Sequence, residues 1–186
     1  MNWQRKVAGM AVLALAVAPL ADRGYAQAIN SSAKTIALQA TLTPSITVNL
    51  SGNAVNFVLT PGNATNAGST SITATTSWAM TTGIGFVSLY AFFASSTSAL
   101  SNGAGNNIPS SDFQVSDNAG AFTALTSTAP FGGANAGLRV GTTFIFLTNM
   151  SGSRTDTMNF NINLSSVPSL APGTYTGTLT LQAQAI

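Results

Sequence analysis

The chain has no cysteine and no histidine among its 186 residues. Without cysteine it forms no disulfide and no thiolate metal site. Without histidine it lacks the usual general base at neutral pH and the commonest transition-metal ligand. Charge is scarce as well, at 5% of the chain, and the 158 residues that follow Ala28 hold only Lys34, Arg139, Arg154, Asp112, Asp117 and Asp156, with no glutamate. Ordinary acid-base and metal-dependent catalysis are thereby excluded. A serine nucleophile needs a base, and the only side-chain amine after Ala28 is Lys34. No catalytic, cofactor-binding or metal-ligating residue is assigned. The three cations after Ala28 lie far apart in sequence, whereas phosphate binding needs them clustered, so nucleic acid is not an expected partner. Three cations against three anions leave no net charge after residue 28, which removes the repulsion that keeps surfaces apart and favours self-association.

A second absence is the long apolar run. The only extended one, Val7 to Leu20, has 14 residues, short of the ~20 that span a bilayer as a helix. Arg5 and Lys6 precede it and the small-residue site Ala26-Gln27-Ala28 follows, which are the three parts of a secretory signal. Residues 1–28 are read as a signal peptide forming a helix, cleaved after Ala28. Export to the periplasm, the medium or the cell surface follows, with no membrane span left after cleavage. Residues 29–186 are read as one domain, large enough to bury a core without disulfides.

What is present is alternation. From Ile36 the even positions read Ile36, Leu38, Ala40, Leu42, then Pro44, then Ile46, Val48 and Leu50, against mostly Thr, Ser, Asn and Gln at odd positions. This period of two predicts two strands, or one long strand broken at Pro44. Pro61-Gly62 ends the next segment, 54–60, and a strand follows with Ile72, Ala74, Thr76, Trp78 and Met80 on one face. Trp78 shares parity with that apolar row and is read as a core anchor. Residues 84–94, IGFVSLYAFFA, are apolar at both parities and predict a central strand covered on both faces. A polar connection, 95–111, carries Asn102-Gly103 as a turn candidate. Shorter strands are expected at 113–115 and 121–125, then a strand over 138–148. Met158, Phe160, Ile162 and Leu164 face inward against Thr157, Asn159, Asn161 and Asn163, and after Pro172-Gly173 comes a last strand through Tyr175, Leu179, Leu181, Ala183 and Ala185. No 3.6-residue pattern follows the leader. About ten short strands with regular turns predict an all-β fold, an antiparallel immunoglobulin-like β-sandwich.

The remaining charges suggest little chemistry. Asp112 and Asp117, at odd spacing, fall on opposite faces if they share a strand. With Asn118 they offer few oxygens for calcium and are read as solvated loop residues. Arg154 and Asp156, two apart at a strand start, are read as an exposed ion pair of small energetic consequence.

The closing residues PSLAPGTYTGTLTLQAQAI resemble the last strand of bacterial chaperone-usher pilins, including the spore coat U type, which reads Pro-x-Gly-Thr-Tyr-x-x-Thr-hydrophobic. The chain departs from the spore coat U type in having no cysteine. The resemblance implies an incomplete sandwich whose missing strand is supplied by a neighbour's N-terminal extension. Residues 29–43 are then the donor, with Ile36, Leu38, Ala40 and Leu42 as alternating plugs: main-chain bonds supply affinity and side-chain pockets supply register. An ordinary first strand is the other reading of the same residues. The function expected is an exported, non-enzymatic structural subunit that assembles by donor-strand exchange into a pilus or surface polymer. Its partners would be further copies or related subunits and a periplasmic chaperone. Two alternatives stand beside it: a self-complete secreted module that binds a glycan or protein, and an outer-membrane β-barrel.

Overall fold

Threonine, valine and isoleucine fill the segments that alternate, and their branched side chains suit a pleated surface. In the structure, a computed structural model that describes residues 31–41, 43–81 and 83–186, most of those segments from Ser45 onward pair as antiparallel strands. The expected signal peptide, like Leu42, lies outside the described residues. The chain divides into two units, Met1–Gln39 and Ala40–Ile186. Residues 31–41 carry no strand, and Ile36 and Leu38 are 84% and 91% exposed.

The second unit is all-β. Its larger sheet joins β1 (Ser45–Leu50), β3 (Ile72–Ala79), β10 (Ser151–Ile162), β7 (Phe113–Asp117) and β8 (Thr123–Ala124) in that order, with β2 (Asn66–Ala67) also pairing with β10. A second sheet has the order β11 (Thr180–Ala185), β4 (Gly85–Phe92), β9 (Gly137–Ile145). A short hairpin, β5 (Leu100–Ser101) and β6 (Asn107–Ile108), turns through Asn102 and Gly103, whose φ of 73° is the left-handed conformation that favours glycine. Among the described residues there is no α-helix, and no helix is long and apolar enough to cross a membrane. Both sheets end in free edges, β1 and β8 in one and β11 and β9 in the other, rather than closing into a barrel.

The two sheets share a core. Ile72 and Ala74 of β3, Met158, Phe160 and Ile162 of β10, and Phe113 and Val115 of β7 form one buried cluster with Leu89 and Ala91 of β4. Trp78, Val87 and Ile145 form a second cluster with Ile46 and Met80 against it. Trp78 anchors that core as its parity suggests, and its Nε1 donates to the Asn149 carbonyl at 3.0 Å.

Three expectations differ from what is observed. Residues 54–60 form no strand; only a bridge from Phe57 to Gly68 holds them, because side chains take part of the backbone pairing. Asn66 Oδ1 accepts the Thr60 N–H at 2.7 Å and Ser69 Oγ accepts that of Asn56 at 3.1 Å. Asn161 was expected to face solvent, yet it is buried. The 61–66 segment covers it, so its side chain accepts the Asn66 N–H at 2.8 Å and donates to Gln114 Oε1 at 2.8 Å. Strand β4 is central in its sheet but is not covered on both faces: Phe86 is 47% exposed, whereas Phe92, packed on Phe131, is buried.

Leu89 lies at 2% exposure between the sheets. Leu89→Ala should lower the unfolding free energy by about 2–5 kcal/mol, whereas Leu38→Ala should change it by less than about 0.5 kcal/mol. Denaturant unfolding of both variants measures the contrast.

Candidate functional site

The last strand sits at an edge, and its neighbour on one side only is β4. The reciprocal bonds between Phe86 and Ile186, at 2.6 and 3.0 Å, fix the phase of this pairing. In an antiparallel ladder the bonded pairs recur every second residue, so Thr180, Gln182, Gln184 and Ile186 bond toward β4. Leu181, Ala183 and Ala185 turn their backbone N–H and C=O groups to the open edge. The side chains of Leu181 and Ala183 pack against the core. Nothing blunts this edge: it has no lysine, no proline and no charge of any kind.

Beside that edge lies a groove of about 670 Å³, which runs between residues 50–59 and residues 173–181. Core residues form its floor, among them Ile72, Phe93, Phe113, Phe160 and Ile162, and Val55, Phe57 and Leu59 on one wall face Tyr175, Leu179 and Leu181 on the other. The two walls follow the edges of different sheets, for residues 50–59 continue from β1 and residues 173–181 lead into β11. Tyr175 is held by a 2.8 Å bond from its hydroxyl to the Ala171 carbonyl. Gly177 packs so close to the backbone of Ala99 that a Cβ there would overlap the Ala99 carbonyl oxygen. The Gly-Thr-Tyr segment that carries the sequence resemblance is therefore one wall of the groove.

No family model matches this chain, and no curated protein or solved structure matches it.

Of the four plug residues expected from the sequence, Ile36, Leu38 and Ala40 are exposed, and Leu42 lies outside the described residues. The pilin resemblance implies an acceptor groove, but none of the residues that line this one was named from the sequence. A partial signal lies in the phenylalanines near it, Phe57, Phe93, Phe113 and Phe160, but alternation alone does not say which of them line an unpaired edge.

The charged residues occupy a second site, and here two expectations are corrected. Arg154 and Asp156 are not an exposed pair. Asp156 is fully buried and Arg154 mostly so, and the guanidinium donates from Nε at 2.8 Å and from Nη2 at 2.5 Å to Asp156 Oδ1. The guanidinium crosses to the other sheet and lies on Gly141 of β9, where any Cβ would overlap it. With Thr76 and Thr143 the pair packs against Trp78, Val87 and Leu89, a polar layer between the two apolar clusters. Asp112 is buried rather than solvated, accepting from Ser166 Oγ at 3.0 Å. Asp117 is half-buried at the far end of β7, about 17 Å of strand from Asp112, so the two carboxylates do not meet. Among the described residues no group of three or more acidic, histidine or cysteine side chains converges.

Asp117 lies by Asp156 instead. Asn118 Nδ2 bridges them, at 3.2 Å to Asp117 Oδ2 and 3.5 Å to Asp156 Oδ1. Buried oxygens of Thr76, Asp117 and Asp156 have no partner. Burial, then the charge of Asp156, raises the Asp117 pKa above its ordinary 3.8, against the opposing pull of Arg154.

Two outcomes follow from this layer. Arg154→Met leaves the Asp156 carboxylate buried and unpaired and should cost about 3–5 kcal/mol, much of it recovered in the double variant Arg154→Met with Asp156→Leu; denaturant unfolding measures both. For Asp117 the folded state holds its proton more tightly than the unfolded chain. Its stabilising contribution is therefore complete below 3.8 and lost as pH rises through the raised value. The difference in unfolding free energy between Asp117→Asn and the parent should grow in favour of the variant as pH rises from 3.8; a constant difference would contradict this.

Proposed function

We propose that this chain is an exported, non-enzymatic structural subunit whose two sheets make an immunoglobulin-like sandwich lacking one strand. The N-terminal segment 29–43 of another copy completes it, and repetition of that exchange builds a pilus or surface polymer. The observation that carries the reading is the unpaired edge of β11 beside an apolar groove floored by core side chains. Backbone groups without a strand partner, aligned with an apolar groove, are what an added strand requires. Residues 36–42 have the period of two that such a strand needs, and at about 3.4 Å per residue they span roughly 20 Å. Ile36 and Leu38, 84% and 91% exposed, would each gain about 1.5–3 kcal/mol on full burial. The resemblance of residues 168–186 to the closing strand of chaperone-usher pilins supports the same assignment. A periplasmic chaperone that occupies the groove before assembly fits that reading, and cleavage of the leader after Ala28 would free the donor.

The mature chain should polymerise, and a form lacking residues 29–43 should stay monomeric while capturing a synthetic peptide of that sequence. Leu38→Asp in the peptide should weaken capture at least about tenfold, since a charge would have to enter an apolar groove. Sedimentation and fluorescence titration read the two effects. A stable monomer from the mature chain, or a shortened form indifferent to the peptide, would overturn the proposal.

A further inference from the structure

The outer face of the β11–β4–β9 sheet ends in an apolar patch. Register and hydrogen bonds align Ile186, Phe86 and Phe144 in one row across the three strands. The Phe86 and Phe144 rings lie 5.2 Å apart, and Phe144 stacks on Phe146 at 6.4 Å. All three rings are about half exposed, while Ile84 and Ile186 are 73% and 74% exposed. No charged residue occurs in residues 79–90, 140–153 or 179–186, the segments that form and frame the patch. An exposed apolar cluster of this kind on a soluble surface marks an interaction site.

Its place in the fold says what it meets. Ser45, the first residue of β1, pairs with Ala79, which pairs on its other side with Ser151. Ile46 packs against the cluster of Trp78 and Ile145. Asn149 ties the turn after β9 to the same end, its carbonyl accepting from Trp78 Nε1 and its side chain donating to the Phe144 carbonyl at 2.9 Å. The pole that bears the patch is thus the pole where β1 begins.

We propose that this patch seats each subunit on the copy that has accepted its N-terminal segment. The inference rests on the strand-exchange reading above. Only Thr43 and Pro44 separate the last plug, Leu42, from Ser45. Three residue steps span at most about 11 Å, so the pole bearing the patch is drawn onto the acceptor when the plug enters the groove. Every strand pair among the described residues is antiparallel. A donor antiparallel to β11 ends beside Gly173–Thr176 of the acceptor, where Thr176 bridges Ser101 of the β5–β6 hairpin. Residues 95–111 around that hairpin carry no charge. Closing an aromatic patch over this rim buries no charged side chain, and aromatic side chains are the group enriched at the centres of interfaces.

The test uses the mature chain with Phe86→Ser and Phe144→Ser together, both at exposed positions. A labelled peptide of residues 29–43 reports open grooves, and sedimentation reports the concentration at which polymers form. The double variant should take the peptide within about twofold of the parent affinity, while its polymerisation concentration rises at least about tenfold, as for loss of an interface anchor. Phe144→Leu should retain polymerisation, and Phe122→Ser, equally exposed but on the β7–β8 connection, should leave it unchanged. Polymerisation of the double variant at the parent concentration, or an equal loss in Phe122→Ser, would overturn the role of the patch and leave strand exchange standing. Failure of both parent and variant to take the peptide would defeat strand exchange, and this inference with it.

Discussion

The rest of the structure is organised by an unmet requirement: backbone N–H and C=O groups along one side of β11 have no strand partner, and an apolar groove runs beside them. A strand edge normally carries charge, proline or a covering loop, but residues 177–186 have none of the first two. The same residues that turn backbone groups outward, Leu181 and Ala183, turn side chains onto the core. Backbone pairing and apolar burial are therefore incomplete at one place, and a single alternating segment can satisfy both.

The scarcity of ionisable groups gains a structural sense from this arrangement. Where charge does occur after Ala28, much of it is inside. Arg154 and Asp156 form a layer between two apolar clusters, with Asp117 at its margin. Burying a pair of this kind adds little net stability, but it penalises any arrangement that separates the partners. The two sheets are held in one relation by a guanidinium that reaches from β10 onto Gly141 of β9. The outer surfaces, in turn, carry few charges.

Much of the fold was legible in the sequence, because a period of two is a direct image of a strand with one face buried. The inward rows Ile72–Trp78 and Met158–Ile162 are where their parity places them. The errors came from reading residue type without parity. Arg154 and Asp156 share even numbering with Met158, Phe160 and Ile162, so the alternation that assigned the core already pointed both charges inward; their charge alone suggested solvent. Asn161 shows the reverse, since its parity points outward and a covering segment from elsewhere in the chain buries it. The groove was illegible for a different reason. Alternation tells which face of a strand is buried but not which edge lacks a neighbour, and edge status is a property of sheet order.

The central claim, that β11 is an acceptor edge, makes a residue-level demand on amide hydrogen exchange. In the unassembled subunit the amides of Leu181, Ala183 and Ala185 should exchange rapidly, while those of Gln182 and Gln184, bonded to β4, are protected. On assembly the odd-numbered amides should become protected and the even-numbered ones should change little. Equal protection of both sets before assembly, or no change at the odd positions after it, would contradict the account.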